Sequence, residues 1–148
     1  MHSAYHKLVG LLANVSAVLV ALIFLVVIAE AAGRNLFGYS LPATFEISVF
    51  LLVYTAFFAS AAAFGRNAHF KVFDLAGRLS GRSARLVQLV ADAATILFLG
   101  ILGYYGVNLA LSQMDQPSAA LQIPYGIIYL SIPIFAFTSI LLLVMKLF

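Results

Sequence analysis

Long apolar stretches divide this chain into four segments separated by short polar ones. Each apolar stretch has 22 or more residues, enough at about 1.5 Å per residue to cross a hydrocarbon core of roughly 30 Å. The pattern predicts spanning helices at about 8–30, 42–65, 84–112 and 124–145. We therefore expect an all-α integral membrane protein, with residues 1–148 forming a single four-helix domain.

The connection at 66–85 has a different pattern. At 100° per residue, Lys71, Asp74 and Arg78 lie on one side of a helix, and apolar residues lie on the other. This pattern predicts a short amphipathic helix on the membrane surface. Two interpretations stay open: a basic loop that only sets topology, and a docking surface for a partner.

Composition supports a membrane protein. Apolar residues make up 64% of the chain and charged residues 9%, against roughly half and a quarter in soluble domains. The absence of cysteine excludes thiol redox chemistry and thiolate metal sites. The net charge of +3 does not indicate nucleic-acid binding, because the basic residues flank the apolar segments.

The positions of the basic residues predict orientation. With four spans, both termini and the 66–85 connection lie on the same side of the membrane. Of the lysine and arginine residues, only Arg34 lies on the opposite side. The shared side carries Lys7, Arg66, Lys71, Arg78, Arg82, Arg85 and Lys146. By the positive-inside rule we expect the termini and the middle connection in the cytoplasm.

Polar residues near the outer ends of the first two helices have structural explanations. Glu30 and Arg34 are spaced for an ion pair at the end of the first helix, with a role in substrate binding as the alternative. Pro42 suits the first turn of the second helix, and Glu46 lies near the positive end of its dipole. Further along the first helix, Asn14, Ala17 and Ala21 share a face on which a partner helix could pack.

The third helix has a face that is polar at its cytoplasmic end and small at its outer end. The face comprises Arg85, Gln88, Asp92, Thr95, Leu99, Gly103, Gly106 and Ala110. Asp92 is predicted about two turns inside the membrane, where a carboxylate needs a partner. That partner is an internal Arg85 or Arg66, another subunit, or an ion or proton. In the fourth helix, Pro133 predicts a kink, with Ser131 available to satisfy the nearby backbone.

The chain offers little for catalysis. His2, His6 and His69 lie at or outside the membrane boundary, so no histidine pair can hold a haem inside the bundle. Phosphate-binding glycine loops and zinc-protease motifs are missing. We expect no enzyme activity, no cofactor and no metal site. His69 is predicted to fix the turn after the second helix, with proton coupling as the alternative.

The order of these features resembles the small membrane subunit of tripartite ATP-independent periplasmic (TRAP) transporters. The resemblance rests on the four spans, on Arg34 with Phe37, on Pro42 with Glu46, on the run Arg66 to Leu75 containing His69 and Asp74, and on Gln122-Ile123-Pro124. It departs where Phe73 precedes Asp74, where Phe45 precedes Glu46, and in the absence of Trp.

The resemblance implies a scaffold subunit. Its partners would be a large multi-helix permease subunit carrying the solute and cation sites, a periplasmic solute-binding protein, and membrane lipids. Substrates would be organic acids, driven by an ion gradient, typically sodium. We expect docking through the third-helix face from Gln88 to Ala110 and through the 66–85 surface helix. The candidate interface or structural residues are Arg34, Glu46, Arg66, His69, Asp74, Gln88, Asp92, Gly103 and Gly106. Two alternatives are an autonomous homodimeric transporter that uses Asp92 and an assembly or lipid-organising protein without a transport partner.

Overall fold

The computed structural model describes residues 2–38, 42–66 and 82–147. In these ranges the chain forms α1 (His2–Phe37), α2 (Pro42–Gly65), α3 (Arg82–Ser112), the short α4 (Gly126–Tyr129) and α5 (Ser131–Leu147). The predicted surface helix, including His69 and Asp74, lies outside the described residues.

Four segments are long and apolar enough to cross a membrane: Tyr5–Phe37, Ala43–Gly65, Arg85–Ser112 and Gly126–Lys146. The predicted all-α fold with four spanning helices is therefore confirmed. The helices form an array in which α2 packs between α1 and α5, and α5 packs between α2 and α3. Within the described residues α3 makes no backbone approach to α1 or α2.

Helix α1 is longer than predicted at both ends. Neither Glu30 nor Arg34 interrupts it, because one charged residue per turn does not break a helix. It ends where Gly38 adopts a positive φ of 71° and donates its N–H to the Arg34 carbonyl, 3.2 Å away. Glycine reaches this left-handed conformation without strain, so Gly38 is the residue that stops the helix.

Contacts between α1 and α2 define two levels across the bundle. At one end the Tyr5 hydroxyl donates to the Gly65 carbonyl, and Val9 occupies the space beside Gly65. At the other, the Thr44 hydroxyl donates to Glu30 Oε2 at 3.1 Å. Val9 and Glu30 are 21 positions apart on α1, and Thr44 and Gly65 are 21 positions apart on α2. At about 1.5 Å per residue, this corresponds to about 32 Å of helix, which matches the thickness of a bilayer core. We call the Gly65 end the inner boundary and the Thr44 end the outer boundary.

The core lies at the inner boundary. Val9, Leu12, Ala61, Ala62 and Leu142 form one buried cluster that joins α1, α2 and α5. The small alanines of α2 allow the neighbouring helices to approach closely, as membrane helix packing requires. The face of Asn14 and Ala17 predicted to pack inside the bundle is instead exposed, because α1 turns Leu12 and Ser16 toward α2.

The fourth span is interrupted near its outer end, where a turn at Leu130 separates α4 from α5. Pro133 lacks an N–H and cannot continue the hydrogen-bond ladder of α4. The buried Ser131 hydroxyl donates to the Ile128 carbonyl at 2.6 Å. Ser131 thus satisfies nearby backbone as predicted, and the kink expected at Pro133 stays a prediction.

Candidate functional site

The first part of α3 extends away from the other helices. All side chains from Arg85 to Val90 are exposed, including Leu86 at 63%, Leu89 at 58% and Val90 at 67%. Exposure on every side means that no other helix among the described residues covers this part of α3. We call residues 82–93 the inner segment of α3.

Gln88 and Asp92 pair with each other on this segment. The Gln88 side-chain amide donates to Asp92 Oδ1 at 2.9 Å, across one turn of the helix. Among the described residues Gln88 is the partner of Asp92, so the pair predicted with Arg85 or Arg66 is not found there. A Gln side chain four residues away reaches the carboxylate with little adjustment. This leaves further acceptor positions of the carboxylate open on an exposed surface.

The position of Asp92 along the bundle can be compared with that of Gly65 on α2. The Phe57 and Phe135 rings lie 5.6 Å apart, and Gly103 faces Ala136, so Phe57 and Gly103 lie at about the same height. On α3, Asp92 is 11 positions from Gly103, whereas on α2 Gly65 is 8 positions from Phe57. Asp92 therefore lies near the level of Gly65, and its predicted depth of about two turns inside the membrane stays a prediction.

The outer part of the same α3 face is used within the chain. A Cβ on Gly103 would lie 3.3 Å from the Ala136 Cβ, and one on Gly106 would lie 2.8 Å from the Ile132 Cγ2 and 3.0 Å from the Pro133 Cδ. Ala110 is fully buried. Gly103 and Gly106 thus pack against α5, which corrects the prediction that the whole face, from Gln88 to Ala110, docks on a partner. With respect to the described residues, the inner part of the face is open.

A second constellation lies at the outer boundary. The Glu46 carboxylate accepts the backbone N–H groups of Ala120 at 2.8 Å and Leu121 at 2.9 Å. These residues belong to the 113–125 connection, which folds back on itself through the Ser118 N–H and the Ile123 carbonyl at 2.9 Å. Glu46 therefore fastens this connection to the start of α2. We call residues 113–125 the outer loop.

The aromatic residues of α2 extend this attachment. The Tyr54 hydroxyl donates to the Ile127 carbonyl at 2.6 Å, and the Phe50 and Tyr125 rings lie 6.4 Å apart. The sequence predicted a structural role for Glu46 but not its partners. These partners are more than 70 positions apart in the sequence, so the residues around Glu46 do not predict these hydrogen bonds.

We expect Glu46→Gln to loosen the outer loop. A neutral amide oxygen is a weaker acceptor than a carboxylate oxygen. In glutamine an NH2 group, which cannot accept, also replaces one of the two oxygens that bind the N–H groups. The amides of Ala120 and Leu121 should then exchange with solvent deuterium several-fold faster. Asp115→Asn is the matched control, because Asp115 is an exposed acid of the same loop. Equal exchange rates in wild type and Glu46→Gln would show that Glu46 does not hold the loop.

The remaining predicted residues lie apart from each other. Arg34 is exposed on α1 beyond the outer boundary, and its role in an ion pair with Glu30 stays a prediction. Arg66 is exposed at the inner boundary, directly after α2, and its N–H donates to the Ala62 carbonyl at 3.0 Å. The structure thus brings Gln88 and Asp92 together and places Arg34 and Glu46 toward the opposite end.

Comparisons with known proteins identify the family. Residues 23–148 match the family model described as tripartite ATP-independent periplasmic transporters, DctQ component. The C4-dicarboxylate TRAP transporter small permease protein DctQ of Rhodobacter capsulatus is 30% identical over 111 residues, which cover 71% of this chain and 49% of that protein. The chain therefore spans about half the length of this curated relative. It belongs to the DctQ component family of TRAP transporters and is a membrane transport component, not an enzyme.

Proposed function

We propose that this chain is a scaffold subunit of a TRAP-type secondary importer and that it braces a large multi-helix permease subunit. The observation that carries the proposal is the inner segment of α3, whose side chains from 85 to 90 are all exposed; among the described helices α3 approaches only α4 and α5. Within the described part of the chain nothing covers this segment, which suits the docking of a partner subunit.

The chemistry of the inner segment suits a protein partner. The segment projects from the described bundle, and its apolar side chains Leu86, Leu89 and Val90 are exposed. Fully burying such a side chain stabilises an interface by about 1.5–3 kcal/mol. The Gln88–Asp92 pair adds a polar anchor that fixes register, since a carboxylate in an interface requires a matching donor.

The family supports the rest of the proposal. As a member, the chain is a multi-pass protein of the bacterial inner membrane, and the basic residues favour cytoplasmic termini. The large permease subunit would carry the solute and cation sites, and a periplasmic solute-binding protein would deliver the solute. The name of the relative mentions C4-dicarboxylates, which supports an organic acid as the substrate class. Sodium is the coupling ion that we propose.

Co-expression with the large permease subunit of the same organism tests this proposal. We expect a stable complex in mild detergent and loss of solute uptake when this chain is deleted. The alternative, an autonomous homodimeric transporter using Asp92, predicts cation-driven flux in liposomes that contain this chain alone. Recovery only as a free protein, with uptake unaffected by the deletion, would contradict the proposal.

A further inference from the structure

An apolar groove opens between α2 and α3 on the inner half of the bundle. Both helices pack on α5, and within the described residues neither makes a backbone approach to the other. The space between them has a volume of about 480 Å³. We call it the inner groove; its lining residues are Ser60, Phe64, Ala94, Thr95, Phe98, Leu99 and Phe135.

Small side chains create this groove and aromatic rings form its walls. Ser60 on α2 faces Ala94 and Thr95 on α3, and none of the three is long enough to bridge the gap. The Thr95 hydroxyl already donates to the Ala91 carbonyl at 2.8 Å. The groove therefore presents mostly carbon atoms, and a flexible hydrocarbon chain can recover the dispersion contacts that a gap in the packing forfeits.

Positive charge lies at the inner end of the groove. Arg66 follows Phe64 by two residues, at the inner boundary, and is exposed. On α3, Asp92 and Arg85 continue the Thr95 face toward the same side, and the Asp92 carboxylate accepts a bond from Gln88. Among the described side chains at this end, two arginines outweigh one carboxylate. Basic residues beside a cleft between membrane helices are suited to a lipid phosphate.

We propose that the inner groove holds one acyl chain of a membrane phospholipid and that Arg66 binds the phosphate of its headgroup. Arg66 and the groove match a phospholipid both in chemistry and in their order along the membrane normal. Phosphates lie at the membrane boundary and acyl chains lie above them, which is the order of Arg66 and the groove. This proposal does not depend on the docking of the permease subunit, because every residue that it uses belongs to this chain.

Native mass spectrometry of the full chain, purified from membranes in mild detergent, tests the proposal. We expect about one retained phospholipid per chain in the wild type. Ser60→Phe should fill the groove and remove most of it, whereas Ala59→Phe should not, because Ala59 is an exposed neighbour outside the groove. Arg66→Ala should lower retention several-fold, and Arg34→Ala, the matched arginine at the other boundary, should leave it unchanged.

Several outcomes would overturn the proposal. Equal lipid retention in the wild type and in Arg66→Ala would contradict the proposed phosphate site. Because Arg66 lies on an exposed turn, its replacement should not unfold the chain, so this variant still tests the proposal if Ser60→Phe unfolds. Full retention in a folded Ser60→Phe variant would remove the acyl site. If Ser60→Phe keeps its lipid but no longer recovers the permease subunit, the groove seats a permease helix instead. Because lipid retention is measured on the chain alone, its failure is distinguishable from a failure of the docking proposal.

Discussion

Replacing Gly106 by leucine will destabilise the bundle more than the same substitution at Gly100, one and a half turns away on the same helix. A Cβ at position 106 would lie within 3.2 Å of both Ile132 and Pro133, whereas one at position 100 has nothing within 4 Å. The proline ring cannot change rotamer to make room. We expect a loss of at least about 2 kcal/mol in the free energy of unfolding, measured as a lower thermal midpoint in detergent.

Gly126→Ala probes the same packing from the other side. Its Cβ would overlap the Ala110 carbonyl oxygen, a backbone atom, and would lie 2.8 Å from the Met114 Sδ. We expect this small substitution to be nearly as damaging as Gly106→Leu. Equal thermal midpoints for the Gly100→Leu and Gly106→Leu variants would mean that α3 and α5 do not pack as closely as the structure shows.

Replacing Asp92 by alanine will reduce recovery of the complex with the large permease subunit by about tenfold. A hydrogen bond to a charged group contributes about 1.5–3 kcal/mol, and 1.4 kcal/mol corresponds to a factor of ten in affinity. Within the described residues, the side-chain contact of Asp92 is with the exposed Gln88. The thermal midpoint of the chain alone should therefore hardly change.

The control for this substitution is Asp115→Ala, which removes an exposed acid from the outer loop. It changes the net charge in the same way but lies at the opposite boundary, so we expect full recovery of the complex. Equal recovery of the Asp92→Ala and Asp115→Ala variants would exclude Asp92 from the interface. A large loss of stability in Asp92→Ala alone would assign the residue a role within the bundle.

Hydropathy was sufficient to predict the spans, because lipid requires long apolar helices whatever their packing. The end of α2 at Gly65 and the bond from Ser131 to nearby backbone were also predictable, since local residues determine them. The length of α1 was not predictable in the same way, because Glu30 and Arg34 end the apolar run without ending the helix. Only the positive φ of Gly38 identifies the true end.

The site was less predictable because it depends on relative heights. The small face of α3 was recognised in the sequence, but Gly106 opposes Pro133 of the same chain. Within the described residues, this contact leaves the inner part of the face open and sets Asp92 at about the level of Gly65. Likewise, a glutamate in the first turns of α2 suggests a dipole interaction, whereas Glu46 also binds a loop more than 70 residues away.

Site-specific cross-linking tests the docking of the inner segment most directly. The chain contains no cysteine, so a single Leu89→Cys or Leu97→Cys variant carries one thiol for a photoactivatable cross-linker. The two leucines lie on the same helix and are 58% and 66% exposed, but only Leu89 belongs to the inner segment. The account predicts a strong cross-link to the large permease subunit from position 89 and a weak one from position 97. A cross-link of equal strength from both positions, or one from position 97 alone, would contradict it.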